Sequence, residues 1–362
     1  MPSLPKLKLS MPSLNVSLGR RSGGNVVGLD IQPGHVAAVR AHVNGSIVAE
    51  HAAAMALPAD IVREGEVLDE GALSETLREL FRDGGLGKQV RVGIANQRTV
   101  LRTLELPPIA DHKELDAAVR FMAQEQVPMP LNNAVLDFHA LGVHETPDGP
   151  RQQVVLVAAQ RDMVGRLLAA IRGAGLRPEG VDLSAFALIR SLYRHDPEHD
   201  GRVLYLNVDG LTNMAIAEGA VCRFTRVVGG GLEAMASQLA ERLSMPVADA
   251  RTMIAAADLT VLDAVDGDVR TVLENGIREI AGEVRNSLEF HRSQEGGGEV
   301  SLVVLSGAAL DVPGFADALQ AELGVAVTRE TVGIADGALG GAPVSAQRLA
   351  IAAGLAVEET GR

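Results

Sequence analysis

The sequence predicts an α/β protein with two lobes, each of which opens with a similar three-stranded antiparallel unit. The chain has 362 residues, of which 47% are apolar, so it can bury more than one hydrophobic core. Short apolar runs alternate with helical patterns along its length. The opening pattern recurs after residue 202. A repeat at so long a spacing indicates internal pseudo-twofold symmetry rather than a short-repeat solenoid.

Charge and cysteine content limit the classes of function. The formal net charge is -13 and no long Lys/Arg block occurs, which argues against nucleic acid or an anionic membrane as the main partner. The one cysteine, Cys222, cannot form an internal disulfide, which favours a reducing compartment such as the cytoplasm. No run approaches the roughly 18 to 20 apolar residues of a spanning helix, and no apolar signal segment opens the chain. We therefore expect membrane association to be peripheral.

Residues 1–24 are predicted to form a flexible N-terminal arm. The tetrapeptide Met-Pro-Ser-Leu occurs at positions 1 and 11, and the basic residues of this segment are Lys6, Lys8, Arg20 and Arg21. A disordered tail is the simpler interpretation. Docking of its leucines on a partner or a membrane surface is the alternative.

The first lobe is predicted over residues 25–105, together with 183–201 and 345–358. VVGLDI is a strand that carries Asp30 near its end, and HVAAVRAHV resumes as a second strand after a Gln-Pro-Gly turn. Asn44-Gly45 is a two-residue hairpin signal and leads into SIVAEHAAA. Leucines at helical spacing predict a helix over 71–82, and a strand follows at about 90–95.

An inserted subdomain is predicted over residues 106–182. Asp111 followed by Glu114 forms a capping box for a helix that must end near Pro128. Residues 153–159 form a buried strand, and a second helix ends at a glycine-rich segment beginning at Gly173. With an extended segment between them, these elements give a helix, strand, strand, helix pattern.

The second lobe is predicted over residues 202–344. Its strands are VLYLNV, NMAIA and AVCRFTRV, separated by turns at Asp209-Gly210 and Glu218-Gly219. Gly229–Gly231 lead into a helix near Leu232, where backbone N–H groups can meet an anion. A helical subdomain covers 231–299, and a strand ending in Ser306-Gly307 follows it.

Several long segments of the sequence resemble those of a known protein family. The doubled meander and the late strand ending in Ser-Gly resemble the actin, sugar-kinase and Hsp70 superfamily. ELDAAVRFMAQEQVPMPLNNAVLDFHALG, GEVRNSLEFHRSQ and VVLSGAALDVPGF resemble, in the same order, segments of the PilM family of type IV pilus assembly. The resemblance covers about residues 26–357. It implies a two-lobed actin-like ATPase fold with an inserted FtsA-type subdomain.

The resemblance also implies a function and partners. A PilM-like protein is expected to be a cytoplasmic scaffold at the inner face of the cell membrane, serving a type IV pilus or related secretion machine. It would bind the cytoplasmic tail of a PilN-like membrane protein and link it to the platform and motor ATPase proteins. The resemblance leaves open whether the protein forms homo-oligomers. The expected docking groove lies between the first lobe and the inserted subdomain, with an edge formed by Leu106, Pro107, Phe121, Glu125, Val127 and Pro128.

By the same resemblance, ATP with Mg²⁺ is the expected cofactor of the cleft between the lobes. Its candidate residues are Asp30, Gly34, His35, Asn207, Asp209, Gly210, Thr212, Gly229, Gly230, Gly231, Gly307 and Ala308. The phosphate turns depart from the family pattern, because Gln32 and Pro33 replace a glycine and a serine. Asn207 replaces the usual Asp, and Asp209 puts a carboxylate where phosphate is expected. These changes predict a weakened site, leave ATP binding open and argue against an enzyme.

Two alternatives use the same superfamily resemblance. An ATP-dependent small-molecule kinase would also place two acidic hairpin turns around a cleft, but it needs an intact phosphate site and a catalytic base. A filament-forming actin homologue would need surfaces for self-assembly. Calorimetric titration with ATP and with a PilN-like tail peptide separates the scaffold from the kinase.

Overall fold

The computed structural model describes residues 26–82, 85–194, 201–294, 297–339 and 345–357. The predicted N-terminal arm lies outside these residues. The strands are β1 (Val26–Gln32), β2 (His35–Asn44), β3 (Ser46–Ala56), β4 (Val62–Arg63), β5 (Glu66–Val67), β6 (Gln89–Ile94), β7 (Val100–Leu106), β8 (Ala134–Thr146), β9 (Gly149–Gln160), β10 (Arg177–Leu183), β11 (Arg202–Val208), β12 (Thr212–Glu218), β13 (Val221–Val228), β14 (Val300–Ser306), β15 (Ala326–Arg329) and β16 (Gly333–Ile334). The α-helices are α1 (Glu70–Leu80), α2 (His112–Gln126), α3 (Arg161–Gly173), α4 (Ser184–Leu192), α5 (Leu232–Leu243), α6 (Val247–Ala255), α7 (Gly267–Ser293), α8 (Phe315–Leu323) and α9 (Ala350–Ala356).

The two lobes contain sheets of the same topology. The first sheet has the order β10-β6-β1-β2-β3-β16, and the second has the order β15-β14-β11-β12-β13 when read from the equivalent edge. In each, an antiparallel meander is extended on one side by parallel strands, so β1 pairs with β6 as β11 pairs with β14. The recurrence of the opening pattern after residue 202 therefore reflects a structural duplication. One detail differs from prediction: Asn44 pairs with Ser46, and only Gly45 of the hairpin has positive φ.

Two apolar helices lie in the core between the sheets. Eight of the nine residues of α4 are buried, as are all seven of α9. A helix that is apolar on all sides must be covered on all sides. Glycines allow the close packing here: a Cβ at Gly28 of β1 would lie 1.8 Å from the carbonyl oxygen of Ala352. Likewise, a Cβ at Gly354 would lie 1.9 Å from the carbonyl oxygen of Ala187.

The remaining helices of the second lobe cover the outer face of its sheet. Residues of α5, α6, α7 and α8 form one core with the outward side chains of β11, β12 and β14. Asp266 caps α7 by accepting hydrogen bonds from the N–H groups of Asp268 and Val269. The short strand β16 pairs with β3 of the first sheet. Part of the segment 202–344, predicted as the second lobe, therefore packs in the first lobe.

The inserted subdomain has different limits from the predicted 106–182. Its sheet has the order β7-β9-β8 and is covered by α2, so it begins at Val100 and ends at Gln160. Beyond it, β10 pairs with β6 of the first sheet, and α3 packs in the first lobe's core beside α1. The Ser74 hydroxyl donates to the carbonyl oxygen of Ala170, 2.9 Å away, across that contact. The pattern of α3 revealed its apolar face but not the element that face meets.

The described part of the chain contains no helix that is both long enough and apolar enough to cross a membrane.

Candidate functional site

The two phosphate-type turns touch each other. The turn between β1 and β2 contains Gly34 with φ of 87°, a conformation that favours glycine. Opposite it, a Cβ at Gly210 would lie 2.1 Å from the carbonyl oxygen of Pro33, so only glycine permits this approach. The backbone N–H of Leu211 donates to Oε1 of Gln32 at 3.3 Å. The two lobes are therefore joined through these two turns.

The Asp209 carboxylate occupies the centre of this contact. The residue is 3% exposed, and its Oδ1 lies 3.3 Å from Nδ1 of His35. Its Oδ2 accepts from the backbone N–H of Ala308 at 3.3 Å, and its backbone carbonyl accepts from the N–H of Leu232 at 2.7 Å. Donors from both lobes thus converge on one carboxylate.

Burial changes the protonation of the two neighbouring groups. Burial raises the pKa of Asp30 to about 7, and the nearby Asp209 charge adds to this rise. The Asp30 carboxyl accepts one hydrogen bond, from Nε2 of Gln32 at 2.9 Å. Burial lowers the pKa of His35 despite the opposite effect of Asp209, so its imidazole is neutral near pH 7 and donates from Nδ1. A carboxyl that is half protonated near pH 7 is a poor partner for a hydrated Mg²⁺.

Little room remains beside Asp209. The cavity here has a volume of about 70 Å³, whereas ligand sites are typically about 300 to 1,000 Å³. Arg251 closes its far side by pairing with Glu233 (Nε to Oε2, 2.7 Å) and by donating to the Leu57 carbonyl at 3.1 Å. This second contact again joins the lobes. A nucleotide fits only if the cleft opens.

The structure brings some of the predicted nucleotide residues together and separates others. Those that line the small cavity are Gly34, His35, Asp209, Gly210 and Ala308. Three of the other predicted residues support the turns. Asn207 donates to the Ser306 hydroxyl at 3.1 Å, and the Thr212 hydroxyl donates to the Gly230 carbonyl. A Cβ at Gly307 would lie 2.5 Å from the Val208 carbonyl oxygen.

The glycine triplet does not act as one unit. A Cβ at Gly231 would lie 2.6 Å from the Asp209 carbonyl oxygen, so this glycine permits the approach of α5 to the second turn. Gly229 and Gly230 face a separate, larger cavity. Sequence reasoning missed Arg251 and Glu233, which lie on helices and follow no motif that would mark them.

The predicted docking residues divide between surface and core. Pro107, Glu125 and Pro128 are exposed, and Phe121 is 67% exposed on α2. Leu106 and Val127, by contrast, are buried in the core between α2 and its sheet. The resemblance marked all six as a docking edge, but in this structure the side chains of these two pack within the subdomain.

Comparison with known proteins identifies the family. The family described as "Type IV pilus assembly protein PilM" matches residues 28–359. The chain belongs to the PilM family. Among solved structures, a "PilM-PilN type IV pilus biogenesis complex" is similar to it with a TM-score of 0.77 and 24% identity. The match covers 92% of this chain and 98% of that chain.

A second similar structure extends the fold beyond PilM. Ethanolamine utilization protein EutJ from Carboxydothermus hydrogenoformans matches with a TM-score of 0.51 and 16% identity. The match covers 92% of this chain and 89% of that one. Together with the duplicated sheets, these likenesses confirm the predicted α/β actin-like ATPase fold.

Proposed function

We propose that this PilM-family protein is a non-enzymatic scaffold at the cytoplasmic face of the membrane, in a type IV pilus or related secretion machine. It holds the cytoplasmic tail of a PilN-like membrane protein and links it to platform and motor ATPase proteins. Family membership supports a role in pilus assembly, and the similar solved structure is described as a PilM-PilN complex. The observation that carries the non-enzymatic role is the Asp209 carboxylate, which is hydrogen-bonded where a phosphate would lie.

The inserted subdomain supplies the proposed docking surface. Phe121 exposes a large apolar ring on α2, and such rings are frequent anchors of protein contacts. Pro107 and Pro128 are exposed where the chain enters and leaves the region of α2, and Glu125 is exposed in the last turn of α2 and adds a negative charge. An extended tail with apolar and basic side chains matches this surface.

The closed cleft argues against the kinase alternative. Phosphoryl transfer requires a nucleotide held by donors and Mg²⁺. Here the donors of His35 and Ala308 already serve Asp209, and the 70 Å³ cavity is too small for ATP. ATP·Mg²⁺ binding therefore requires separation of the two turns. Hydrolysis is further disfavoured because Asn207 stands where the family pattern has an ionised Asp carboxylate.

Isothermal calorimetry tests this proposal. The purified protein is titrated separately with ATP·Mg²⁺ and with a peptide that copies the cytoplasmic N-terminus of the PilN-like protein encoded in the same organism. We expect the peptide to bind and ATP to bind weakly or not at all. ATP turnover by a protein that ignores the peptide would reject the scaffold and restore the kinase.

A further inference from the structure

A second cavity, of about 680 Å³, lies between the lobes and shares no lining residue with the small cavity at Asp209. Its walls come from the ends of β6 and β10 in the first lobe and from β12, β13 and α7 in the second. The buried side chains of Ile94 and Ile280 belong to its lining, and the half-buried Val227 adds apolar surface. The cavity is therefore partly apolar and is built by both lobes.

One wall of this cavity is the edge of a β-strand. Among the described strands, β13 pairs with β12 alone, so its other edge has no strand partner. Six consecutive residues at the end of β13, Thr225–Gly230, line the cavity, and all but Val228 are half-buried or exposed. Neighbouring side chains of a strand point to opposite faces, so an unbroken run of lining residues presents the backbone edge itself. Such an edge offers N–H and C=O groups to an extended segment.

The helix α7 gives the cavity an acidic wall. Glu279 is exposed in the lining, and Glu283 is half-buried one turn further along the helix. The one basic side chain in the lining, Arg226, has its Nη2 2.9 Å from Oε2 of Glu283, so these two charges offset each other. Glu279 forms no ion pair with another described residue. The cavity therefore favours a basic segment over an acidic one.

The N-terminal arm contains a segment of this kind. Residues 6–11, Lys-Leu-Lys-Leu-Ser-Met, alternate strictly between polar and apolar side chains, which is the pattern of a strand with one apolar face. Pro5 and Pro12 bound this run, and proline lacks the N–H that a strand ladder needs. A second alternating run, residues 13–18, carries no charge. The acidic wall thus favours the first run.

The arm is long enough to reach the cavity. Val26, where the described chain begins, pairs with Gln89 at the start of β6, and the lining begins at Ile94. These five residues of β6 span about 17 Å. Residues 12–25 connect Met11 to Val26 and can span up to about 50 Å when extended, which leaves length to pass around the helices that cover the sheet.

We propose that Lys6–Met11 of the chain's own N-terminal arm bind in this cavity as a strand added to β13. Their lysines face the acidic wall of α7, and Leu7 and Leu9 pack on the apolar part of the lining. Because the walls come from both lobes, the bound segment ties the lobes together. It also covers an edge that would otherwise be open to pairing with other chains.

Cross-linking of the full-length protein with a carbodiimide tests the contact, since this reagent joins a lysine amine only to a carboxylate that touches it. The chain has four lysines, Lys6, Lys8, Lys88 and Lys113, so the products are few. We expect mass spectrometry of the monomeric protein to find Lys6 or Lys8 joined to a carboxylate of α7 that lines the cavity. The same product confined to a cross-linked dimer would assign the segment to a second copy. That result, or the lack of any such product, overturns the proposal.

Hydrogen exchange measured by mass spectrometry tests the added strand. Leu9→Pro removes one N–H and one apolar side chain from the run, so the amides of residues 223–230 should exchange at least about tenfold faster than in the wild type. Val16→Pro makes the same change in the second run and should leave these amides unaffected. Equal exchange in the wild type and Leu9→Pro would show that this segment does not cover the edge, and the proposal fails.

A charge variant of the cavity gives an independent test. Glu279→Gln removes the unpaired carboxylate and should speed the exchange of the same amides by about two- to fivefold, the usual effect of one exposed charge pair. Glu241→Gln, at an exposed position of α5 outside the cavity, is the matched control. Thermal melts verify that both variants fold. Identical exchange in the two folded variants contradicts the proposed role of the acidic wall.

Discussion

Replacing Asp209 by asparagine should convert the closed phosphate position into one that tolerates ATP. Asparagine has nearly the same shape, so its Oδ1 can still accept from the Ala308 N–H that now lies 3.3 Å from Oδ2 of Asp209. The substitution removes the negative charge but not the close contact between Gly210 and Pro33, so the two turns must still separate for ATP·Mg²⁺ to enter.

The magnitude follows from the position of the carboxylate. Taking a separation of about 4 Å between a phosphate oxygen and the carboxylate charge, two like unit charges repel by about 4 kcal/mol at the effective dielectric constant of about 20 that suits protein sites. Because about 1.4 kcal/mol changes a dissociation constant tenfold, we expect ATP·Mg²⁺ to bind roughly 100- to 1,000-fold more tightly to Asp209→Asn.

Calorimetry with ATP·Mg²⁺ at fixed ionic strength measures this change. Asp263→Asn, an exposed residue in a 3₁₀ turn of the helical subdomain, controls for the general loss of one negative charge. Peptide affinity should be the same in both variants. The reasoning is refuted if folded Asp209→Asn binds ATP no better than the wild type, since the carboxylate then does not exclude phosphate.

Three further predictions follow from burial and contact. The Asp30 carboxyl keeps its proton up to about pH 7 in the folded chain, whereas it loses the proton near pH 3.8 in the unfolded chain. The free energy of unfolding should therefore fall by about 1.4 kcal/mol between pH 6 and pH 8, measured in urea titrations relative to Asp30→Asn. Gly28→Ala should cost about 3 kcal/mol or more by the same assay, while Gly165→Ala, with open space at its Cβ, should not destabilise. Phe121→Ser should weaken tail-peptide binding at least about tenfold by calorimetry, and Phe290→Ser, 52% exposed on α7, should not.

Each of these results has a clear contrary outcome. A wild-type pH slope equal to that of Asp30→Asn would mean that the carboxyl is ionised in the fold. Equal stability of the two glycine variants would show that α9 can retreat from β1. Equal loss of peptide binding in both phenylalanine variants would indicate that the docking surface does not lie on α2.

Local signals in the sequence determined the elements and their duplication. The apolar runs predicted the meanders β1–β3 and β11–β13, and the Asp111 side chain caps α2 as expected by accepting from the N–H groups of Lys113 and Glu114. These signals depend on residues within a few positions of one another. They can therefore be recognised from the sequence alone. The long, ordered resemblance to PilM segments then gave the family and the fold.

Tertiary packing alone decided the subdomain limits, the surface and the sites. The sequence predicted the helix α3 within the inserted subdomain, and the resemblance placed Val127 at a docking edge, but α3 packs in the first lobe and Val127 against the sheet beneath α2. The turn residues suggested a weakened phosphate site, yet only the folded chain places His35 beside Asp209. Such properties depend on contacts between separate segments of the chain, whose geometry no local periodicity encodes.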